Sequence, residues 1–321
     1  MVALCGGVGG AKLAAGLTKV LEPEDLTVIV NTGDDFQHLG VSISPDIDTV
    51  VYTLADLADR ERGWGLEGET WAFMEALGRL GGETWFNLGD RDLATHVERT
   101  RRLAAGETLS QVTADLAARL GIACAIVPMS DDPVRTIVET PAGPLAFQHY
   151  FVRDRCAPEA TRIWFDGAQA ARPAPAALAA LARPDLKAVL VCPSNPYLSI
   201  DPILALPGIA AALKALKVPR VAVCPIVGGA AIKGPTAKLM RELGIEPDPV
   251  SIARHYAGLI DGLLIDRRDE AWAERIEACA VRCGVADTVM KNDADRMDVA
   301  RASLALAETI GPPGATAQAA Q

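Results

Sequence analysis

The 321-residue sequence predicts an α/β protein, a doubly wound, mostly parallel sheet carrying a helical and small antiparallel β insertion. Three observations carry that expectation. Short apolar, β-branched runs alternate with helical segments at both ends of the chain, which calls for parallel strands joined by crossover helices. The first such run leads directly into four glycines and a lysine. Several later strands end in polar or glycine-rich turns, the edge on which open α/β sheets hold ligands. Together they describe a Rossmann-like fold in a single domain, 1–321.

Val2-Ala3-Leu4-Cys5 reads as the first strand, and the segment from about Ala11 to Leu21 as the helix after it. Leu26-Thr27-Val28-Ile29-Val30 is the second strand, suited to a sheet buried on both faces. From about Ala55 to Leu120 the pattern is almost wholly helical, with Thr108-Leu109-Ser110-Gln111 opening one helix as a capping box. Between Ile122 and Phe165 lie β-rich runs with a turn at Pro141-Ala142-Gly143-Pro144. Residues 55–165 are therefore expected to form an inserted helical and β cap. The strand–helix rhythm then returns: strands Ala188–Cys192, Arg220–Cys224 and Gly262–Asp266, with helices over Ile203–Leu216, Thr236–Leu243 and about Glu270 to Arg282. Residues 311–321, rich in Ala, Gly, Gln and Pro, read as a frayed tail.

Composition narrows the function classes. Half of the residues are hydrophobic, 22% are charged and mean hydropathy is +0.19, enough apolar material for a core and too much for a disordered chain. The net charge is −10. An acidic surface repels phosphate backbones and anionic lipid, so neither a nucleic-acid nor a membrane partner is expected. No apolar run reaches the roughly 20 residues of a spanning helix, and the seven cysteines are scattered and odd in number. A soluble cytoplasmic protein without structural disulfides is the expectation.

The chemistry gathers in four places. In Cys5-Gly6-Gly7-Val8-Gly9-Gly10-Ala11-Lys12, the glycines let the backbone approach a ligand and the next helix adds its positive end, which favours a phosphate or diphosphate. The loop is no Walker motif, because Ala11 precedes Lys12 and Leu13 follows it, and the dinucleotide fingerprint fails at Lys12. Gly7, Gly9, Gly10 and Lys12 are its candidate anion-binding residues; the plainer alternative is tight helix–sheet packing. The second strand ends in Asn31-Thr32-Gly33-Asp34-Asp35, followed by Ser44-Pro45-Asp46-Ile47-Asp48-Thr49, carboxylates that suit a hard cation. Asp34 and Asp48 are assigned to a shared Mg²⁺, Asp46 to capping the helix that starts near Ile47, and Asp35 equally to a turn or to the site.

Asn87-Leu88-Gly89-Asp90-Arg91-Asp92-Leu93-Ala94-Thr95-His96 reads either as a polar wall of the site, with Arg91, Thr95 and His96 on it, or as a self-neutralising surface turn. Finally, Cys192-Pro193-Ser194-Asn195-Pro196 and Cys224-Pro225-Ile226-Val227-Gly228-Gly229 end two late strands on the same edge.

These segments, in this order, resemble the 2-phospho-L-lactate transferase family of coenzyme F420 biosynthesis, including its bacterial phosphoenolpyruvate transferase members. The resemblance rests on Gly6–Lys12, Asn31–Asp35, Ser44–Thr49, Leu88–His96 and Pro193–Pro196, with Gln148–Arg153 and Gly228–Lys233 filling much of the rest. It implies an enzyme that joins a phosphorylated three-carbon acid to the ribityl hydroxyl of the deazaflavin Fo. The donor is a guanosine diphosphate conjugate of lactate, enolpyruvate or phosphoglycerate, GMP is released, and F420-0 or its dehydro form results. It further implies a homodimer, Mg²⁺, and contact of Asp48 and Arg91 with Fo. Catalysis is then expected from Asp48, Asp34 and Arg91; Thr32, Thr95 and His96 join the substrate site, and Ser194 and Asn195 are candidates for the guanosine. Two alternatives stand beside this one: a non-catalytic nucleotide-sugar-binding regulator of the same superfamily, and an NAD(P)-dependent oxidoreductase.

Overall fold

The computed structural model describes residues 1–232 and 234–311. The expected tail lies outside the described residues apart from Gly311.

Alternation of side chains across each strand decides the architecture. Strand β1 (Val2–Cys5) sends Val2 and Leu4 into one apolar layer and Ala3 and Cys5 into another, and all four are fully buried. A strand apolar on both faces must lie inside a sheet covered on both sides. Helix α1 (Gly7–Leu17) follows, then β2 (Thr27–Val30), a hairpin of β3 (Phe36–His38) and β4 (Val41–Ile43), and helices α2 (Pro45–Leu54), α3 (Ala72–Arg79), α4 (Asp92–Ala104) and α5 (Leu109–Arg119). Strand β5 (Ala125–Pro128) comes next. Strands β6 (Arg135–Thr140), β7 (Gly143–Ala146) and β8 (Arg162–Asp166) make a separate antiparallel sheet in the order β7-β6-β8.

The second half runs through α6 (Pro175–Leu181), β9 (Val189–Val191), α7 (Asp201–Leu204), α8 (Ile209–Ala215), β10 (Arg220–Val223) and the short hairpin β11 (Ile226–Val227) and β12 (Ala230–Ala231). It continues with α9 (Thr236–Glu242), α10 (Pro249–His255), β13 (Gly262–Asp266), α11 (Ala273–Glu277), β14 (Arg282–Ala286) and α12 (Asp293–Ile310).

The central sheet has seven parallel strands in the order β14-β13-β10-β9-β1-β2-β5. The chain winds outward from β1 through β2 to β5, returns to β9 on the other side of β1, and winds outward again to β14. The doubly wound parallel sheet is as expected. Its winding reverses between β1 and β9, the place where such sheets open a crevice for a ligand.

The structure corrects several local readings. Strand β5 lies within 55–165 yet belongs to the central sheet, so the region read as one cap is interrupted by a core strand. Helix α1 begins at Gly7 instead of Ala11, so the glycines are its first turn. The helix expected over Ile203–Leu216 is broken, because Gly208 adopts a left-handed conformation (φ 89°) before α8. The helix expected to Arg282 ends at Glu277, and β14 and α12 were not foreseen. Among the described residues no single helix is long and apolar enough to cross a membrane.

Candidate active site

A cavity of about 510 Å³ opens at the reversal point, between the ends of β1, β2 and β9 and the elements above them. Gly6, Gly7, Gly9 and Lys12 line it from the first loop, and Asp34, Asp46 and Asp48 from the second. Asp92 and His96 reach it from α4, and Pro193, Ser194 and Asn195 from the end of β9. Four segments distant in sequence are thus brought to one edge of the sheet.

The glycine loop is held from two sides. Ser194 Oγ accepts from Gly6 N–H (3.1 Å) and donates to Gly6 carbonyl (2.7 Å), tying β9 to β1 across the reversal point. Asp46 accepts from Gly7 N–H (2.7 Å) and from Asn31 Nδ2 (2.9 Å). The assignment of Asp46 as a cap of its own helix is therefore corrected: α2 begins at Pro45, and the Asp46 carboxylate neutralises the start of α1 instead. Asn31 Nδ2 also donates to Asp34 (3.2 Å) and to the Leu198 carbonyl (3.2 Å), and its Oδ1 accepts from Gly33 N–H (2.8 Å). A buried amide at the end of β2 thus orders the acids around it.

The absence of side chains in the loop serves packing first. A β-carbon at Gly9 would run into the Pro193 carbonyl oxygen, and one at Gly10 into Ser194 Oγ and Cys5 Sγ. Lys12 lines the cavity and donates to the Met290 carbonyl (2.9 Å).

Asp34 and Asp48, expected to share a cation, both line the cavity but keep different company. Burial, and then the negative charge of Asp46, push the Asp34 carboxyl well above the usual carboxylate range, against the opposing hydrogen bond from Asn31. Burial likewise raises Asp46 to about 6 and Asp35 to about 7. Asp35 accepts from Ser44 Oγ (2.7 Å) and is not among the described residues lining the cavity.

Asp48 sits in a second group. Its carboxylate is gripped by Arg99, through Nη1 to Oδ2 (3.1 Å) and through Nη2 to Oδ1, and Arg99 is 1% exposed. His96 Nδ1 lies 3.7 Å from Asp48 Oδ2, His96 Nε2 lies 3.3 Å from Asp92 Oδ2, and the Tyr52 hydroxyl donates to Asp92 Oδ1 (2.6 Å). Burial raises Asp92, but His96 and Tyr52 outweigh it and hold its carboxyl below the usual range.

Asp48, Asp92 and His96 each offer a ligand atom within 4.8 Å of the other two. Carboxylate oxygens and an imidazole suit a divalent cation, and Arg99 occupies only part of the lone-pair capacity of Asp48. The group could therefore hold a metal ion, and Asp34 adds a buried carboxylate to the same cavity.

Sequence reasoning missed Arg99 and Tyr52. The signal was present: Asp92, His96 and Arg99 stand at i, i+4 and i+7 on α4, and Asp48 and Tyr52 one turn apart on α2, so each set shares a helix face.

Other expected site residues are placed differently. Arg91 is exposed, donates through Nη1 to the Glu67 carbonyl (3.1 Å), and is absent from the described lining; its backbone N–H donates to Glu69. Of the two readings of this segment, the position of Arg91 follows the surface turn. Thr95 hydrogen-bonds Tyr52 behind the lining, and Thr32 is buried with an unpartnered hydroxyl. Asn195 lines the cavity while its Oδ1 caps the turn over Pro196–Ile200, accepting from Tyr197 N–H (3.0 Å) and Leu198 N–H (3.2 Å); its Nδ2 has no hydrogen-bond partner.

Trp64, Phe86, Phe147 and Phe151 also line the cavity, with Phe147 and Phe151 stacked at 5.2 Å. The site therefore offers both buried carboxylates and aromatic surface suited to a flat ring.

Comparison with known proteins agrees with this arrangement. The family model described as 2-phospho-L-lactate transferase CofD matches residues 1–306. A phosphoenolpyruvate transferase of Streptomyces griseus is 43% identical over 316 residues, covering 97% of this chain and 99% of its own. A 2-phospho-L-lactate transferase of Methanosarcina acetivorans is 40% identical over 310 residues, covering 97% and 100%. Among solved structures, a member of the UPF0052 family from Bacillus halodurans superposes with a TM-score of 0.60 at 15% identity, covering 94% of this chain and 98% of its own, a likeness of fold alone. With the match running through every segment that builds the cavity, the chain belongs to the 2-phospho-L-lactate transferase CofD family.

Proposed function

We propose that the chain transfers a phosphorylated three-carbon acid from its guanosine diphosphate conjugate to the ribityl hydroxyl of Fo, forming F420-0 or its dehydro form and releasing GMP. The observation that carries this reading is a single cavity lined by the glycine loop, four aspartates and the rings of Trp64, Phe86, Phe147 and Phe151, a set that suits a diphosphate with Mg²⁺ and a deazaflavin ring together. An oxidoreductase reading is weakened by Asn31, a buried amide where a dinucleotide fold wants a carboxylate for the ribose.

In the reaction the hydroxyl oxygen attacks the phosphorus bearing the acid, one P–O bond forms, and the P–O bond to the GMP portion breaks. GMP leaves with that electron pair. The hydroxyl proton passes to one of the carboxylates that line the cavity, Asp48 being the one we propose. Such a step asks a protein mainly for in-line placement and charge neutralisation. Asp34 and Asp48 are the carboxylates we assign to Mg²⁺, with Asp92 and His96 on the side of Asp48; when bound, the ion neutralises charge on the phosphoryl oxygens. Gly7, Gly9 and Lys12 hold the diphosphate, and Ser194 keeps the loop in place. Phe147 and Phe151 receive the ring, and Ser194 and Asn195 at the end of β9 are the candidates for the guanosine side.

Incubation of the purified chain with Fo, Mg²⁺ and a guanylated donor tests this. A chromatographically shifted deazaflavin product and an equal amount of GMP are expected; absence of both overturns the reading.

A further inference from the structure

A recess of about 60 Å³ opens beside the main cavity and shares Val8, Lys12, Tyr52 and Trp64 with it. Its charge is the opposite of its neighbour's. Lys12, Arg60, Lys291 and Arg296 line it against Asp56 and Asp59. In the main cavity the described cations are Lys12 and Arg62, against Asp34, Asp46, Asp48 and Asp92. Arg62 is engaged with Asp59 (2.9 Å) and the Leu66 carbonyl (2.8 Å).

Arg60 pairs with Asp56 (2.6 Å), and Arg296 Nη1 donates to Asp293 (3.0 Å). The Arg296 side chain is 9% exposed, so its charge sits in the wall of the recess with little water around it, where its attraction for an anion is weakly screened. At about 60 Å³ the recess is far smaller than the 510 Å³ cavity beside it and suits a small anionic group better than a base or a flat ring.

Resting on the proposed reaction, we propose that this recess is the receptor for the carboxylate of the donor's three-carbon acid. Lactate and enolpyruvate conjugates carry a carboxylate on the carbon that bears the phosphorylated oxygen, and a glycerate conjugate carries one within two carbons of it. The aspartates of the main cavity repel that group, so it needs a cationic seat within a few ångströms of the diphosphate. Lys12 stands on the boundary between the two spaces and faces both anions.

Calorimetric titration of the full chain with GDP and with the guanosine diphosphate conjugate of enolpyruvate, in Mg²⁺, separates this from the transfer reaction itself. GDP carries the diphosphate and lacks the carboxylate. The wild-type chain is expected to bind the conjugate about ten- to a hundredfold more tightly than GDP. Lys291→Gln, at the surface, and Arg296→Lys, which keeps the charge and loses the fork, are expected to remove most of that difference while leaving GDP affinity in place. Thermal unfolding of each variant confirms that the fold is retained. Equal wild-type affinity for the two ligands overturns the receptor. So does a conjugate-over-GDP preference that survives both substitutions, or a parallel loss for GDP and the conjugate. Absence of turnover with normal calorimetry overturns the proposed reaction and leaves the receptor standing.

Discussion

At the scale of single residues, the acids around Asn31 behave as a charge store that folding alone leaves strained. Asp34, Asp35 and Asp46 all have carboxyls raised by burial, Asp35 to about 7 and Asp46 to about 6. A carboxyl raised in the folded state binds its proton more tightly there than in the unfolded chain. For Asp35 and Asp46 stability is therefore lost as pH rises from about 4 through about 7, and for Asp34 the loss extends above that. A divalent cation relieves charge only when the acids are ionised. Mg²⁺ is accordingly expected to raise the thermal midpoint more at pH 8 than at pH 5.5, and an equal rise at both would contradict the assignment of the cation to Asp34. Arg99 makes the complementary case. Removing one partner of a buried pair strands the other, so Arg99→Met is expected to cost about 3–5 kcal/mol in urea unfolding, and Asp48→Asn in the same chain to recover a substantial part. Asp48 was legible as a site residue from its place beside Pro45 and Asp46; its dependence on Arg99, 51 positions away, was not.

At the scale of elements, the glycine loop was read correctly as special and incompletely as to why. Its backbone lines the cavity, but Gly9 and Gly10 lack side chains because Pro193, Ser194 and Cys5 occupy the space. Gly9→Ala is therefore expected to lower stability by about 1–3 kcal/mol through overpacking, before any effect on donor affinity, as differential unfolding of the free chain would show. The turn before α4 is the opposite case. Arg91 lies exposed against the Glu67 carbonyl, so Arg91→Ala is expected to change stability by less than about 1 kcal/mol and to leave the KM for Fo near that of the wild type; a selective rise in that KM would return Arg91 to the site. The end of β13 carries a further anchor. Burial acts to raise Asp266, but hydrogen bonds from Arg268 and Thr288 outweigh it and hold the carboxyl at about 2. A depressed carboxyl stabilises the fold above its unfolded value and loses that contribution as pH falls from about 4 to about 2. Asp266→Asn is expected to flatten the acid limb of the stability profile in that window.

At the scale of the whole molecule, the sheet is shared by two apolar layers. Residues of one strand point alternately into each, so neither layer survives without the other. Unfolding is accordingly expected as one transition, with far-ultraviolet circular dichroism and tryptophan fluorescence giving the same midpoint. Separate midpoints would mean that the antiparallel β6–β8 sheet, with its own cluster around Val138 and Tyr150, melts by itself.

The sequence by itself determined the alternation of strands and helices, the parallel sheet and the edge on which the chemistry lies. Hydrophobic periodicity and β-branched runs are local signals, and they mark β1, β2, β9, β10 and β13 within a residue or two. It also named Asp34, Asp48 and His96, because acids and a histidine at strand ends and helix starts are conspicuous one by one. Tertiary structure alone decided that Ala125–Pro128 completes the central sheet, that Asp46 clamps the first glycines, and that Arg99 holds Asp48. It also turned Arg91 outward and set a cationic recess against an acidic cavity. Each of these depends on groups from distant segments meeting in space. The energies of burial and charge pairing that fix them arise only after the sheet has brought those segments together.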